Sequence, residues 1–174
     1  MAATSLVHHG VQQGVQRLQI LDKIEATLTL GQQLGRIAQK GDVILLHGDL
    51  GVGKTTLTQA IAQGLEVPED QYVSSPSFAL LHEYIGRLPL FHIDCYRLAG
   101  EEDVEGAGLA DYICGSDLTG LTVVEWPDRL GSLQPKNCLD LMLKAINETR
   151  RTCLFAPHGD AWQSRIAALS FTHL

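Results

Sequence analysis

The chain has only four cysteines in 174 residues, and Cys95, Cys114, Cys138 and Cys153 stand far apart with no C-x-x-C pair. That spacing argues against a zinc ribbon and a dithiol redox motif, and it leaves reduced core thiols as the expectation. No apolar run approaches the roughly 18 residues a membrane-spanning helix requires, and no basic segment followed by a long apolar stretch opens the chain. Neither membrane insertion nor export is expected, and the cytoplasm is the expected compartment. Basic charge is scarce as well. Thirteen Lys and Arg stand against 20 Asp and Glu, for a net charge of −7, and only Arg150 and Arg151 are adjacent. A surface that neutralises phosphates needs clustered cations, so any nucleic-acid role is expected to run indirectly through a partner.

Apolar residues, in contrast, make up 45% of the chain, enough for one sizeable core but not for two domains at this length. We expect a loose leader over residues 1–16 and one domain over residues 17–174, with no internal repeat or low-complexity tract. The adjacent His8 and His9 have no Cys, Asp or Glu nearby to complete a ligand set, so they read as a solvated tail.

Asp22 with Glu25 three residues on signals a helix start, and Ile24, Leu28, Leu34 and Ile37 fall near helical spacing up to Gln39. Val43-Ile44-Leu45-Leu46 is the short, wholly apolar run of a strand buried on both faces, which favours a parallel sheet. Leu57, Ile61 and Leu65 mark a second helix that stops near Gly64. After a polar loop at Tyr72 to Phe78, Ala79 to Tyr84 and Leu90 to Asp94 read as an antiparallel hairpin turning at Gly86-Arg87. Glu101 to Tyr112 reads as a helix interrupted by glycines, and Leu121 to Val124 as another buried strand ending at Glu125. Cys138 to Lys144 and Thr152 to Phe155 read as a half-exposed hairpin on the sheet edge, followed by a helix from Asp160 to Ser170. The expected fold class is therefore α/β, a single P-loop NTPase-like domain. Its mixed sheet has parallel core strands, antiparallel hairpins and flanking helices.

Gly48-Asp49-Leu50-Gly51-Val52-Gly53-Lys54-Thr55 fits G-x-x-x-x-G-K-[ST], with the required buried strand before it and helix after it. Glycines let the backbone curl its N–H groups around phosphates, the helix N-terminus adds partial positive charge, and Lys54 neutralises the outer oxygens. Thr55 would hold Mg²⁺ through its hydroxyl. A carboxylate at a neighbouring strand end completes such a centre, and Asp94 and Glu125 both qualify; the residues alone leave their roles open. For each carboxylate the plainer alternative is a structural pair, for example Asp94 with Arg97. Ser74, Ser75 and Ser77 around Pro76 form either a switch-like loop or a simple turn. The guanine-reading tetrad N-K-x-D is absent, and Asp128-Arg129-Leu130-Gly131, which mimics D-x-x-G, does not outweigh that absence.

In order, the strings Gly48 to Thr56, Ser75-Pro76-Ser77-Phe78, His92-Ile93-Asp94-Cys95-Tyr96-Arg97-Leu98 and Glu125-Trp126-Pro127 resemble the TsaE (YjeE) family. These are bacterial ATPases of the tRNA threonylcarbamoyladenosine pathway, and the resemblance runs from about Asp22 to Arg151. It implies an ATP- and Mg²⁺-dependent ATPase, slow alone, that acts with TsaD and TsaB while they modify an adenosine beside the anticodon; TsaC supplies the activated intermediate. It further implies that Gly48, Gly51, Val52, Gly53, Lys54, Thr55 and Thr56 hold the nucleotide. Thr55 and Glu125 would be the Mg²⁺ ligands, with Asp94 and Lys54 catalytic and Trp126 flanking them. Ser75 and Ser77 would belong to a switch loop, with Ser77 in place of the family's usual Thr, and Glu25 and Thr27 would lie near the adenine. Two other functions share the loop. A small-molecule kinase would need a lid of several cations, which the scattered arginines do not mark; a nucleotide-operated binding module would use ATP to reshape residues 74–78.

Overall fold

At the centre of the computed structural model, which describes residues 16–169, every residue from Val43 to Leu46 is 1% exposed or less. These residues belong to β2 (Val43–His47), one of seven strands; the others are β1 (Arg17–Leu21), β3 (Leu81–Tyr84), β4 (Leu90–Asp94), β5 (Leu121–Glu125), β6 (Cys138–Ala145) and β7 (Arg151–His158). They form one sheet in the order β1-β7-β6-β2-β5-β4-β3. β2 runs parallel to both β5 and β6, and β4 runs parallel to β5, whereas β1–β7, β6–β7 and β3–β4 are antiparallel. This is the mixed sheet with parallel core strands that the apolar runs imply.

Period-2 alternation sends the β2 residues to two cores. Ile44 and Leu46 join Leu121, Val123, Leu139 and Leu141 under α1 (Ile24–Ile37), α2 (Lys54–Gly64) and α5 (Asp160–Ala168). Val43 and Leu45 join Ile93, Val124 and Cys138 under α3 (Glu101–Gly106) and α4 (Ala110–Ile113). Covering both faces is what makes a continuous apolar strand stable. Two arginines fasten the helices. Arg87, from the β3–β4 turn, donates to the carbonyls of Gly35, Arg36 and Ala38 at the C-terminus of α1, where carbonyls lack helical partners. Arg165 of α5 grips Asp42 with both terminal nitrogens, at 2.5 and 2.7 Å, just before β2.

Several elements differ from the sequence-based expectation. β1 was not expected at all: Leu18 and Ile20 are exposed, so only a half-buried alternation marks it. By covering β7, β1 makes the β6–β7 hairpin interior, so it is not the sheet edge. Asp22 does not cap α1; Lys23 occupies the N-cap without a side-chain bond, and Asp22 pairs instead with Arg150. The expected helix at 101–112 is split into α3 and α4, with Gly108 at φ +73° between them, a conformation glycine adopts without steric cost. Burial pushes the thiols of Cys95, Cys138 and Cys153 up to about 12, as expected of protonated core thiols, but Cys114 is exposed. The expected leader, His8 and His9 included, lies outside the described residues apart from Gln16, as does Ser170 at the expected end of the last helix. Among the described residues no helix is long and apolar enough to cross a membrane.

α1 and α2 approach to backbone contact through small residues. A Cβ at Gly31 would come within 2.9 Å of the Leu57 carbonyl oxygen, and one at Gly35 would run into the Ile61 carbonyl and come within 2.8 Å of Gly64 Cα. Neither backbone can yield cheaply inside a packed layer. Gly35→Ala should therefore destabilise the fold by about 1–3 kcal/mol, read as a lowered midpoint in urea unfolding; an unchanged midpoint would mean that the two helices separate freely.

Candidate functional site

Three parallel strands bring the chemistry to one edge of the sheet. In register, Leu46 of β2 faces Glu125 of β5, and Glu125 faces Asp94 of β4. The two acidic residues are therefore adjacent strand ends beside the loop that leaves β2, and both are only 3% exposed. That loop turns on three glycines with positive φ: Gly48 (+136°), Gly51 (+75°) and Gly53 (+115°). At Gly48 a Cβ would also sit 2.5 Å from the Leu143 carbonyl oxygen and 2.9 Å from Val52 Cγ1, so both conformation and space demand glycine. Gly53 is the N-cap of α2 and offers no side chain there, which leaves the first N–H groups of an eleven-residue helix facing the loop.

Lys54 begins α2 and is 4% exposed. Its Nζ donates to the carbonyls of Gly48 (2.7 Å) and Asp49 (2.9 Å) and lies 4.0 Å from the centre of the Trp126 ring, a cation–π distance. Burial pulls the ammonium below its ordinary value, while Glu125, Asp94 and Asp49 act in the opposite direction. Trp126 holds its place through a left-handed backbone, φ +60°, and an N–H bond to the Leu46 carbonyl at 3.3 Å.

Both carboxylates are fixed by donors. Thr55 Oγ1 donates to Glu125 Oε1 at 2.9 Å, and His92 Nε2 meets the same oxygen at 2.9 Å. A carboxylate only accepts, so Nε2 carries the hydrogen, and the buried Nδ1 is left without a partner. Asp94 accepts from Ser75 Oγ at 2.5 Å and from the Tyr96 N–H at 2.9 Å. The alternative of an Asp94–Arg97 pair gives way to a different arrangement, in which Arg97 lies 3.9 Å over the Phe78 ring. Thr55, Glu125, Asp94, Ser75, Tyr96 and Arg97 border a cleft of about 350 Å³.

Of the residues singled out in the sequence, Gly51, Gly53, Lys54, Thr55, Thr56, Ser75, Ser77, Asp94, Glu125 and Trp126 line this cleft together. Gly48 and Val52 shape the loop from behind, Val52 being 5% exposed. Glu25 and Thr27 do not line it. Gly31 packs beside Leu57 to Ile61 and Gly35 beside Ile61 to Gly64, so α1 and α2 run the same way, and Thr27, one turn before Gly31, falls toward the N-terminal end of α2. Its hydroxyl is buried without a hydrogen-bond partner. Three contributors are given no role by the sequence: His92, inside the strand that Asp94 ends; Arg151, whose Nε donates to the Val52 carbonyl at 2.9 Å; and Tyr96, whose ring lies 5.0 Å from that of Trp126, tilted by 47°. A histidine inside a buried strand was the one available signal, because such a group needs a partner.

Comparison with known proteins shows likeness in sequence and in fold. The family described as "Threonylcarbamoyl adenosine biosynthesis protein TsaE" matches residues 21–153. A tRNA threonylcarbamoyladenosine biosynthesis protein TsaE from Nostoc sp. is 40% identical over 135 residues, 76% of this chain and 81% of the relative. The protein of the same name from Bacillus subtilis is 35% identical over 147 residues, covering 84% and 89%. The crystal structure of Bacillus subtilis YdiB superposes with a TM-score of 0.72 at 28% identity, covering 88% of this chain and 93% of that one.

The shared Glu125 oxygen generates a prediction. Glu125→Ala deprives two donors of their acceptor, Thr55 Oγ1 and the fully buried His92 Nε2, and should cost about 1–3 kcal/mol of stability. Equilibrium unfolding in urea checks this; full wild-type stability would mean that the two donors find other acceptors.

Proposed function

The chain belongs to the TsaE family of tRNA threonylcarbamoyladenosine biosynthesis, and from that premise we propose that it is a Mg²⁺-dependent ATPase serving that modification in the cytoplasm. The observation that carries this reading is the convergence of the glycine loop, Lys54, Thr55, Glu125 and Asp94 around one cleft. The loop and the α2 N-terminus supply N–H donors for phosphate oxygens. Lys54, already stripped of most water, exchanges the Gly48 and Asp49 carbonyls for the outer phosphates at little further desolvation cost.

The donor set suits Mg²⁺. Thr55 Oγ1 and Glu125 Oε1 are oxygen donors already 2.9 Å apart, with a second carboxylate on the next strand, and a hard cation of this size takes few protein oxygens and leaves room for phosphate and water. Thr55 and Glu125 would hold it, and when bound it would neutralise charge on the phosphates. Asp94 has the other role: Ser75 and the Tyr96 N–H fix its carboxylate, so it can orient the attacking water and accept its proton. Ser75 thereby ties residues 74–78 to the water-handling group. Adenine is favoured because no guanine-reading tetrad is present, with Glu25 and Thr27 at the near end of α1 as the base-side positions. Among the described arginines only Arg97 lines the cleft, and Arg87, Arg150, Arg151 and Arg165 are engaged in structural bonds, so the described residues offer no multi-cation lid and water is the favoured acceptor. The net charge supports an indirect relation to tRNA through protein partners, for which TsaD and TsaB are the candidates, with TsaC earlier in the pathway.

Lys54→Ala should weaken ATP binding roughly 10- to 100-fold, the worth of one charge-assisted hydrogen bond of about 1.5–3 kcal/mol; unchanged binding would remove the loop from the phosphate site. Asp94→Asn should retain ATP while hydrolysis falls roughly 10²- to 10⁴-fold. The deciding experiment measures ATP and GTP hydrolysis at fixed Mg²⁺ by the purified chain, alone and with TsaD and TsaB from the same organism. Slow ATP turnover that rises with the partners is expected, whereas phosphorylation of an added small-molecule acceptor would overturn the reading.

A further inference from the structure

Cys138, Asp140 and His158 meet on the sheet face opposite α1 and α2, and none of them lines the nucleotide cleft. Cys138 and His158 are direct cross-strand partners in the β6–β7 register, so their side chains leave the sheet side by side; Asp140, two residues along β6, leaves by the same face. One ligand atom from each, a thiol sulfur, a carboxylate oxygen and a ring nitrogen, lies within 4.8 Å of the other two. Asp140 is the centre of the group. Its Oδ2 lies 2.8 Å from His158 Nε2 and its Oδ1 lies 2.9 Å from Nε2 of His47, whose Nδ1 is 3.5 Å from Asp128.

The geometry points to a transition-metal site in which Cys138 Sγ, Asp140 Oδ2 and His158 Nε2 ligate Zn²⁺ or an ion of the same borderline class. Sulfur and nitrogen donors select such an ion over Mg²⁺, which takes oxygen, so this site does not compete with the nucleotide centre. Three protein ligands leave the fourth tetrahedral position for water. Two adjacent strands of the sheet supply all three donors, so backbone register holds their spacing. Coordination would release the Cys138 thiol proton to solvent, break the Cys138–Pro135 carbonyl and His158–Asp140 hydrogen bonds, and form three metal bonds. The His47–Asp140 bond remains as the outer contact that aims the carboxylate, and outer partners of this kind are what orient metal ligands. Cys138 is buried, while the Asp140 and His158 side chains are 17% and 22% exposed, which gives an ion a way in.

The test is titration of Co²⁺ into the full chain under reducing conditions with excess Mg²⁺, followed by absorption spectroscopy. One equivalent should bind with a sulfur-to-cobalt charge-transfer band and tetrahedral d–d bands, both abolished by added Zn²⁺. Cys138→Ser should lose the sulfur band, His158→Gln should weaken binding more than about tenfold, and Cys114→Ser, at the exposed thiol, should change neither. Cobalt on His8 and His9 alone would give no sulfur band. Circular dichroism verifies the fold of each variant, and His158→Gln, at a partly exposed position, decides the matter if Cys138→Ser does not fold. The proposal is overturned if the wild-type chain gives no sulfur band, if the band survives Cys138→Ser, if it is lost with Cys114→Ser, or if His158→Gln binds as tightly as wild type; the cluster is then a hydrogen-bonded network only.

Discussion

The parallel pairing of β2, β5 and β4 is the constraint on which the rest of the site depends. Because Leu46, Glu125 and Asp94 stand level across three neighbouring strands, the loop after β2 and both carboxylates emerge at one edge with no loop needing to reach far. Parallel strands require crossovers on the sheet faces, and helices occupy both faces here. α1, α2 and α5 lie on one side and α3 and α4 on the other, so the strands are dry through their length and can be apolar throughout. The carboxylates stand at the ends of these strands, where the β2 loop leaves the sheet.

A site built into strand ends is preorganised in a way that a loop site is not. Glu125 Oε1 takes hydrogen bonds from Thr55 and from His92, so a helix and a neighbouring strand agree on where the carboxylate lies. Asp94 is likewise shared between the 74–78 loop, through Ser75, and its own chain, through the Tyr96 N–H. Lys54 rests on its own loop carbonyls and on Trp126, largely dehydrated. Charges held this way in a low-dielectric edge interact more strongly than they would in water, which is the physical advantage of such a cleft for a polyanionic ligand.

The β6–β7 side of the molecule follows a different logic. Arg151 reaches from the start of β7 to the Val52 carbonyl, bracing the glycine loop from outside, while His47, the last residue of β2, turns to Asp140. Both contacts join the antiparallel half of the sheet to the loop that the parallel half presents, so the two halves meet where β2 ends.

Much of this was legible in the residues. The spacing of Gly48, Gly51, Gly53, Lys54 and Thr55, flanked by Val43–Leu46 and the Leu57/Ile61 period, announced the glycine loop between β2 and α2 because its strand, turn and helix are all local. Asp94 and Glu125 were recognisable because each ends an apolar run. β1 was not legible, since its exposed Leu18 and Ile20 mimic no buried pattern and only pairing with β7 makes it a strand. The helix start was placed at Asp22 because capping chemistry is read locally, but that carboxylate is drawn to Arg150, 128 residues away. By itself, then, the sequence determined the local units: which segments form the loop, the buried strands and the helices, and which side chains carry charge. Tertiary structure alone decided which carboxylate accepts from Thr55, that His92 and Arg151 serve the site, and that Cys138, Asp140 and His158 meet. Those relations depend on the register between strands distant in sequence, and a slip of one residue would send each side chain to the opposite face.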